Sequence, residues 1–141
     1  MSRRITIYKT DTGEICRSAE CPEPDVGRQC GPGEAYLGGV INFETHYVDL
    51  KTKRAVAKPP RPSPHHVFNY ALRQWAINES DAWAAVRADR DSRIAASDWV
   101  ILRASDQGIA VAPDWQAYRQ ALRDITAQPD PLRIVWPAPP A

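Results

Sequence analysis

A proline-rich segment divides this chain and restricts what each side can fold into. Residues 58–64 read Lys-Pro-Pro-Arg-Pro-Ser-Pro, so that four prolines occupy six consecutive positions. Each proline fixes its φ angle and lacks a backbone donor, which excludes a helix and favours an extended, polyproline-like conformation. We therefore expect residues 59–64 to be a proline-rich linker.

Short strands and turns are predicted on the N-terminal side of this linker and just beyond it. Alternating apolar and polar residues separated by turn residues are typical of β-hairpins. Three pairs of runs fit this pattern, and they are residues 4–8 with 14–17, 46–49 with 54–57, and 67–70 with 74–77. The predicted boundaries are residues 1–58 for a lobe of β-hairpins and 65–78 for a further hairpin. The pairs recur at offsets of 40 and 20 residues, but short hairpins resemble one another by pattern alone, so a true internal repeat is not favoured.

The pattern becomes helical after residue 78. Asn78 is a suitable N-cap for a helix over about residues 79–97, and Pro113 is suited to the first position of a second helix. Residues 100–102 are too few to decide between strand and helix. The sequence thus predicts an α+β fold in which residues 79–141 form an antiparallel helix pair with an extended Trp-Pro tail.

Charge and motifs exclude several classes of function. Lys and Arg number 18 against 17 Asp and Glu, and this balance argues against a protein that binds nucleic acid or an anionic membrane. No apolar run approaches the roughly 20 residues that cross a bilayer. A phosphate-binding glycine loop, a nucleophile elbow and a His-Glu-x-x-His pair are all missing from the sequence. We expect a protein that is not an enzyme, uses no cofactor, and has neither nucleic acid nor membrane as its partner.

Cysteine and histidine spacing also bears on metal binding. Cys16, Cys21 and Cys30 are an odd set, and with His46 they would supply four zinc ligands. Their spacing lacks the close Cys-x-x-Cys pair that places two ligands on one turn. His65 and His66 are adjacent, so in a strand their side chains point to opposite faces. We expect reduced thiols and no metal site.

Arginine and aromatic residues of the helical region are the candidate contacts with a protein partner, since both are enriched as anchors at interfaces. Arg90 falls within an apolar stripe, where its stem covers neighbouring side chains or its guanidinium reaches a partner. Trp115 and Leu122 are assigned to the core. Trp136 either docks on the helices or meets a partner. The candidate partner-binding residues are Arg90, Trp99, Tyr118, Arg119, Arg123 and Trp136.

Four blocks of this region carry a family resemblance. In chain order they are Val86–Arg90, Arg93–Trp99, Trp115–Ile125 and Val135–Pro137. The second block ends in Ser-Asp-Trp, and the third reads W-x-x-Y-R-x-x-L-R-D-I. Over about residues 83–137 the chain closely resembles the C-terminal region of tail assembly chaperone and tail-fibre assembly proteins of tailed bacteriophages and prophages.

The resemblance implies a phage protein that binds a tail or tail-fibre component while the tail is built. Such a chaperone would cover an apolar or unpaired surface of its client until assembly hides that surface. It would act in the cytoplasm of the host bacterium. The alternative is a structural part of the virion tail or baseplate, or a tail-fibre adaptor, that stays in the mature particle. The oligomeric state and the identity of the client are not predicted.

Overall fold

A computed structural model describes all residues, 1–141, and confirms the predicted α+β class. The chain forms two compact units, Met1–Ala76 and Ile77–Ala141. The first unit contains the strands, the last of which ends at Ile77, and a 3-10 helix (Glu23–Gln29). The second unit contains the α-helices and a short 3-10 helix (Ile125–Ala127). Residues 59–64 lie within the first unit, so their role as a linker between domains stays a prediction.

A three-stranded antiparallel sheet begins the first unit. Strand β1 (Ser2–Lys9) lies between β2 (Ile15–Pro22) and β3 (Glu34–Gly38). Ile5 and Ile7 of β1 are fully buried, because alternate residues of a strand share a face and this face packs against other apolar side chains. The first hairpin is confirmed, whereas β3 lies in a region where the sequence predicted no strand.

Two further hairpins follow, as predicted. Strands β4 (His46–Asp49) and β5 (Arg54–Ala57) pair with Asp49 opposite Arg54. Strands β6 (His66–Asn69) and β7 (Gln74–Ile77) form another two-stranded sheet. These short strands have few ladder bonds of their own, so the side chains that they bury must contribute much of their stability.

The three hairpins close with the same kind of backbone turn. Positive φ angles of 80°, 51° and 53° occur at Gly13, Lys53 and Arg73. These residues are 40 and 20 residues apart, which are also the offsets between the hairpins. Lys53 and Arg73 are the only residues other than glycine with positive φ, a conformation that is uncommon for side chains with a Cβ. The recurrence therefore lies in backbone geometry as well as in sequence pattern.

The two strained turns give a matched pair of substitutions. Arg73 donates to Asp49 Oδ2 at 3.1 Å and lies 5.8 Å from the centroid of the Tyr47 ring, whereas Lys53 forms no ion pair or ring contact. We expect Lys53→Gly to raise the free energy of unfolding of the first unit by about 1 kcal/mol, because glycine adopts positive φ without strain. Arg73→Gly should bring no gain, because it also loses two contacts. Urea unfolding of both variants tests this, and equal gains would contradict it.

The proline-rich segment packs against the third hairpin within the first unit. Trp75 Nε1 donates to the Pro59 carbonyl oxygen at 2.7 Å. Lys58 Nζ lies 5.0, 5.2 and 5.7 Å from the ring centroids of Phe68, Tyr70 and Trp75, and burial lowers the pKa of this lysine. The ring faces supply negative potential to an ammonium group that has no carboxylate partner.

A carboxylate links β2 to β3. Arg17 donates from Nη1 and Nη2 to the two carboxylate oxygens of Glu34 at 2.6 and 2.7 Å, and the Gly31 amide donates to Glu34 Oε2 at 2.8 Å. These hydrogen bonds lower the pKa of Glu34 to about 2, and those from Arg17 have the largest effect.

This lowered pKa predicts a pH dependence of stability. Because the folded-state value lies below the unfolded one, the Glu34 interaction stabilises the fold fully above about pH 4.5 and is lost as the pH falls towards 2. We expect Glu34→Gln to be less stable than the wild type at pH 7, and the difference to shrink steadily below pH 4.5. Urea unfolding between pH 7 and pH 2.5 measures this, and a difference that does not change with pH would contradict it.

Three helices form the second unit. They are α1 (Glu79–Ala96), α2 (Asp98–Gln107) and α3 (Pro113–Arg123). Asn78 caps α1 by accepting from the Asp81 amide at 3.2 Å, as predicted. Residues 100–102, left open between strand and helix, belong to α2, so a helix lies between the two that were predicted. None of these helices is both long and apolar enough to cross a bilayer.

The core of the second unit is formed by apolar faces of the three helices. Leu122 of α3 and Ile125, just beyond it, are almost completely buried. Trp115, which the sequence assigned to the core, is only half-buried. The other buried apolar residues are Ala82, Val86, Val100, Ala104 and Tyr118. The final residues, 134–141, carry neither helix nor strand.

Candidate partner-binding site

An aromatic series runs from the surface of the second unit into its core. Trp99, near the start of α2, meets Trp115 of α3 edge to face, with ring centroids 5.5 Å apart. Trp115 meets Tyr118 in the same way at 5.7 Å. Tyr118 is buried, whereas Trp99 is 50% exposed. The inner rings thus hold Trp99 in place while much of its surface stays open to a partner.

Exposed apolar side chains extend this surface along α2 and the loop that follows it. Leu102 is 69% exposed and Ile109 is 60% exposed. Trp99 and Leu102 stand three residues apart in α2, so they lie on neighbouring turns of one helix face. Large apolar side chains grouped on a surface in this way mark contact sites more often than isolated ones do.

Arg119 of α3 is buried and already committed within the unit. Its Nη1 donates to the Ile94 carbonyl oxygen at 3.1 Å, to Ser97 Oγ at 2.5 Å and to Asp98 Oδ1 at 3.0 Å. The first two acceptors lie where α1 ends, and Asp98 begins α2. Arg119 therefore joins all three helices, while its buried Nε has no hydrogen-bond partner.

Two arginines of α2 and α3 have no carboxylate partner. The ion pairs of the second unit use Arg90, Arg93, Arg119 and Arg133. Arg123 has only a long contact, 3.5 Å, to Gln120 Oε1, and Arg103 has no side-chain partner. Both are exposed. Their charges are therefore available to a partner.

Two depressions lie beside α2 and α3, and at least one arginine lines each. The larger, of about 600 Å³, is lined by Arg119 and Arg123 together with residues that include Ile101 and Val111. The smaller, of about 240 Å³, is lined by Arg103 with Trp99 and Trp115 among others. No Asp or Glu lines either depression. We call this surface, from Trp99 to Arg123 on α2, the loop after it and α3, the α2–α3 face.

The predicted contact residues are divided between this face and the rest of the second unit. Trp99, Tyr118, Arg119 and Arg123 belong to the α2–α3 face, although Tyr118 and Arg119 are buried. Arg90 is half-buried and pairs with Asp91 at 2.7 Å. Trp136 is half-buried, with the Arg93 guanidinium carbon 4.3 Å from its ring centroid. The partner-binding role of all six residues stays a prediction.

Three residues of this face were missed by the sequence analysis. Leu102, Arg103 and Ile109 were not proposed, because the helix that presents the first two was not assigned. The signal was present, since Trp99, Leu102 and Arg103 stand at positions i, i+3 and i+4 of one run. A helix start at Asp98, directly after the serine that ends α1, would have placed them together.

The side chains offer no clustered ligands for a metal. No group of three or more His, Cys, Asp or Glu side chains comes together anywhere in the chain. Cys16, Cys21 and Cys30 are free thiols, and only Cys21 is buried. Partial desolvation is the largest effect on the other two thiols, and it raises the pKa of Cys16 and of Cys30.

One comparison with known proteins found a match to a protein-family model over the C-terminal part of the chain. Residues 83–141 match the family model described as phage tail assembly chaperone protein. The resemblance of the C-terminal region is thereby confirmed, and it supports a role in phage tail assembly. Neither the curated proteins nor the solved structures gave a match. The matched region begins within α1 and contains the whole α2–α3 face.

Proposed function

We propose that this chain is a non-enzymatic phage protein that binds a tail or tail-fibre component and assists tail assembly as a chaperone. The observation that carries the proposal is the coincidence of the family match with the α2–α3 face, since both lie within residues 83–141. An assembly chaperone needs an apolar surface with anchoring side chains, and it needs no nucleophile or cofactor. The site of action is the cytoplasm of the host bacterium.

The α2–α3 face is the proposed contact with the client. Trp99 is a large, rigid side chain that two further rings hold from below, so little conformational entropy is lost when a partner covers it. Arg123 supplies a charge with no internal carboxylate partner. Tyr118 and Arg119 would act through packing, by holding Trp99 and the helices in position. Arg90 and Trp136 would extend the contact on α1 and the tail.

Affinity capture from phage-producing cells tests the proposal. We expect tagged wild-type protein to retain a tail or tail-fibre protein, and mature particles to lack the chain by mass spectrometry. Stoichiometric presence in mature particles would instead make it a structural tail component or a fibre adaptor. If no tail protein is retained and particles lack the chain, the proposal is wrong.

A single substitution tests the contact surface. We expect Arg123→Ala to leave thermal stability within about 0.5 kcal/mol of the wild type, because the side chain is exposed, and to reduce client capture. The matched control is Arg87→Ala, which removes an exposed arginine of α1 that also forms no ion pair. If Arg123→Ala and Arg87→Ala capture the client equally well, the face is misplaced.

A further inference from the structure

The chemistry of the client segment can be inferred from the α2–α3 face. We propose that this face binds an amphipathic segment of a tail protein in which carboxylates flank an apolar stripe. This inference rests on the proposed function and specifies the partner of the same site. It depends on three features of the face, which are its exposed apolar side chains, its uncompensated arginines and the absence of acidic groups from its depressions.

The apolar part of the face suits a client segment with a row of apolar side chains rather than a single apolar side chain. Trp99 and Leu102 lie on α2, and Ile109 lies in the loop that leads to α3. Trp99 and Ile109 both line the smaller depression, and Leu102 stands one turn along α2 from Trp99. A partner helix with apolar residues at i, i+3, i+4 and i+7 presents a stripe of this kind.

The charge of the face determines what flanks that stripe. Arg103 lines the depression beside Trp99, and Arg123 lines the depression on the Ile101 side. Neither has a carboxylate within the unit, and no acidic side chain lines either depression. A basic partner would leave like charges facing one another, whereas carboxylates would pair with both arginines. Charge complementarity thus selects an acidic segment.

Arg119 is excluded as an anchor for a carboxylate of the client. Its charge is already paired with Asp98 at 3.0 Å, and the Asp98 side chain is more than half exposed. Its Nε is buried without an acceptor, which is uncommon in folded proteins and costs free energy. Arg119 therefore contributes to the packing of the larger depression, and Arg123 is the arginine there whose charge is free.

A pair of synthetic peptides tests this inference with the full-length protein. One peptide of about fifteen residues has leucines at i, i+3, i+4 and i+7 and flanking glutamates, and the other has lysines in place of the glutamates. Binding is measured by isothermal titration calorimetry at two salt concentrations. We expect the acidic peptide to bind roughly tenfold more tightly than the basic one, and the preference to shrink at high salt.

Charge reversal assigns the preference to this face. The double variant Arg103→Glu with Arg123→Glu should lose the preference for the acidic peptide or reverse it, while Arg87→Glu should keep it. Circular dichroism confirms that each variant is folded. Equal binding of the two peptides to the wild type, or an unchanged preference in the double variant, would overturn the inference.

The same variants separate this inference from the proposed function. If the double variant still captures a tail protein from cells, the function stands and the assigned partner chemistry is wrong. If the wild type prefers the acidic peptide but captures no tail protein, the inference about chemistry stands and the proposed client is wrong.

Discussion

Gly13→Ala is expected to destabilise the first unit by about 3 kcal/mol, the largest effect of any glycine substitution in this chain. Gly13 has a φ of 80° and is buried, and a Cβ placed on it would lie 2.1 Å from the carbonyl oxygen of Val48. Backbone at Val48 cannot move aside without breaking the bond from its amide to the Gly13 carbonyl oxygen, which measures 2.8 Å. The substitution thus adds steric strain to the cost of a left-handed conformation.

Gly33→Ala is the matched control for this variant. Gly33 has a similar φ of 75°, but nothing lies within 4 Å of the position that its Cβ would take. Gly33→Ala should therefore lower the free energy of unfolding only by the cost of placing alanine at positive φ, about 1 kcal/mol. Urea unfolding measures the loss of stability in the two variants, and hydrogen exchange of the β1 amides measures it locally. Equal losses in the two variants would show that contact with Val48 contributes nothing.

Arg119→Ala should destabilise the second unit by about 3 kcal/mol. The side chain is 8% exposed and donates to Ile94 of α1 and to Asp98 of α2, as well as to Ser97 between them. Removing it leaves the Ile94 carbonyl oxygen and Ser97 Oγ without this donor, and it opens a cavity at the meeting of the three helices. Arg119→Lys should recover only part of the loss, because one ammonium group on a flexible stem cannot reproduce the guanidinium geometry.

A surface arginine provides the comparison. Arg133 pairs with Asp130 at 3.9 Å and its side chain is 87% exposed, so Arg133→Ala should change the free energy of unfolding by less than about 0.5 kcal/mol. Thermal and urea unfolding of the three variants measure the difference. A loss below about 1 kcal/mol for Arg119→Ala would mean that the hydrogen bonds of Nη1 are replaced by water.

Local signals in the sequence were enough for most of the elements. Turn residues between alternating runs predicted the three hairpins, and Asn78 and Pro113 marked the starts of two helices correctly. Strand β3 was missed because its pairing with β1 joins segments about 30 residues apart, and no local pattern records such a partner. Helix α2 was missed because Ser97 ends one helix and directly precedes the next, without the glycine or proline that usually marks a boundary.

The structure separates the candidate contact residues into buried and exposed ones, and the sequence did not distinguish these two groups. An arginine on an apolar stripe fits both an interface and a covered position, and Arg119 and Arg123 look alike in sequence. They are four residues apart on one helix, yet Arg119 is buried against the end of α1 while Arg123 is exposed. Only the position of α1 and α2 separates the two, and that depends on tertiary packing.

The division into two compact units bears on how unfolding is observed. A chain whose contacts separate at residues 76 and 77 need not lose all of its structure in one cooperative transition. Four of the five tryptophans lie in the second unit, at positions 83, 99, 115 and 136. Intrinsic fluorescence therefore reports mainly on the melting of the helices, and Trp75 is the one tryptophan that reports on the hairpins.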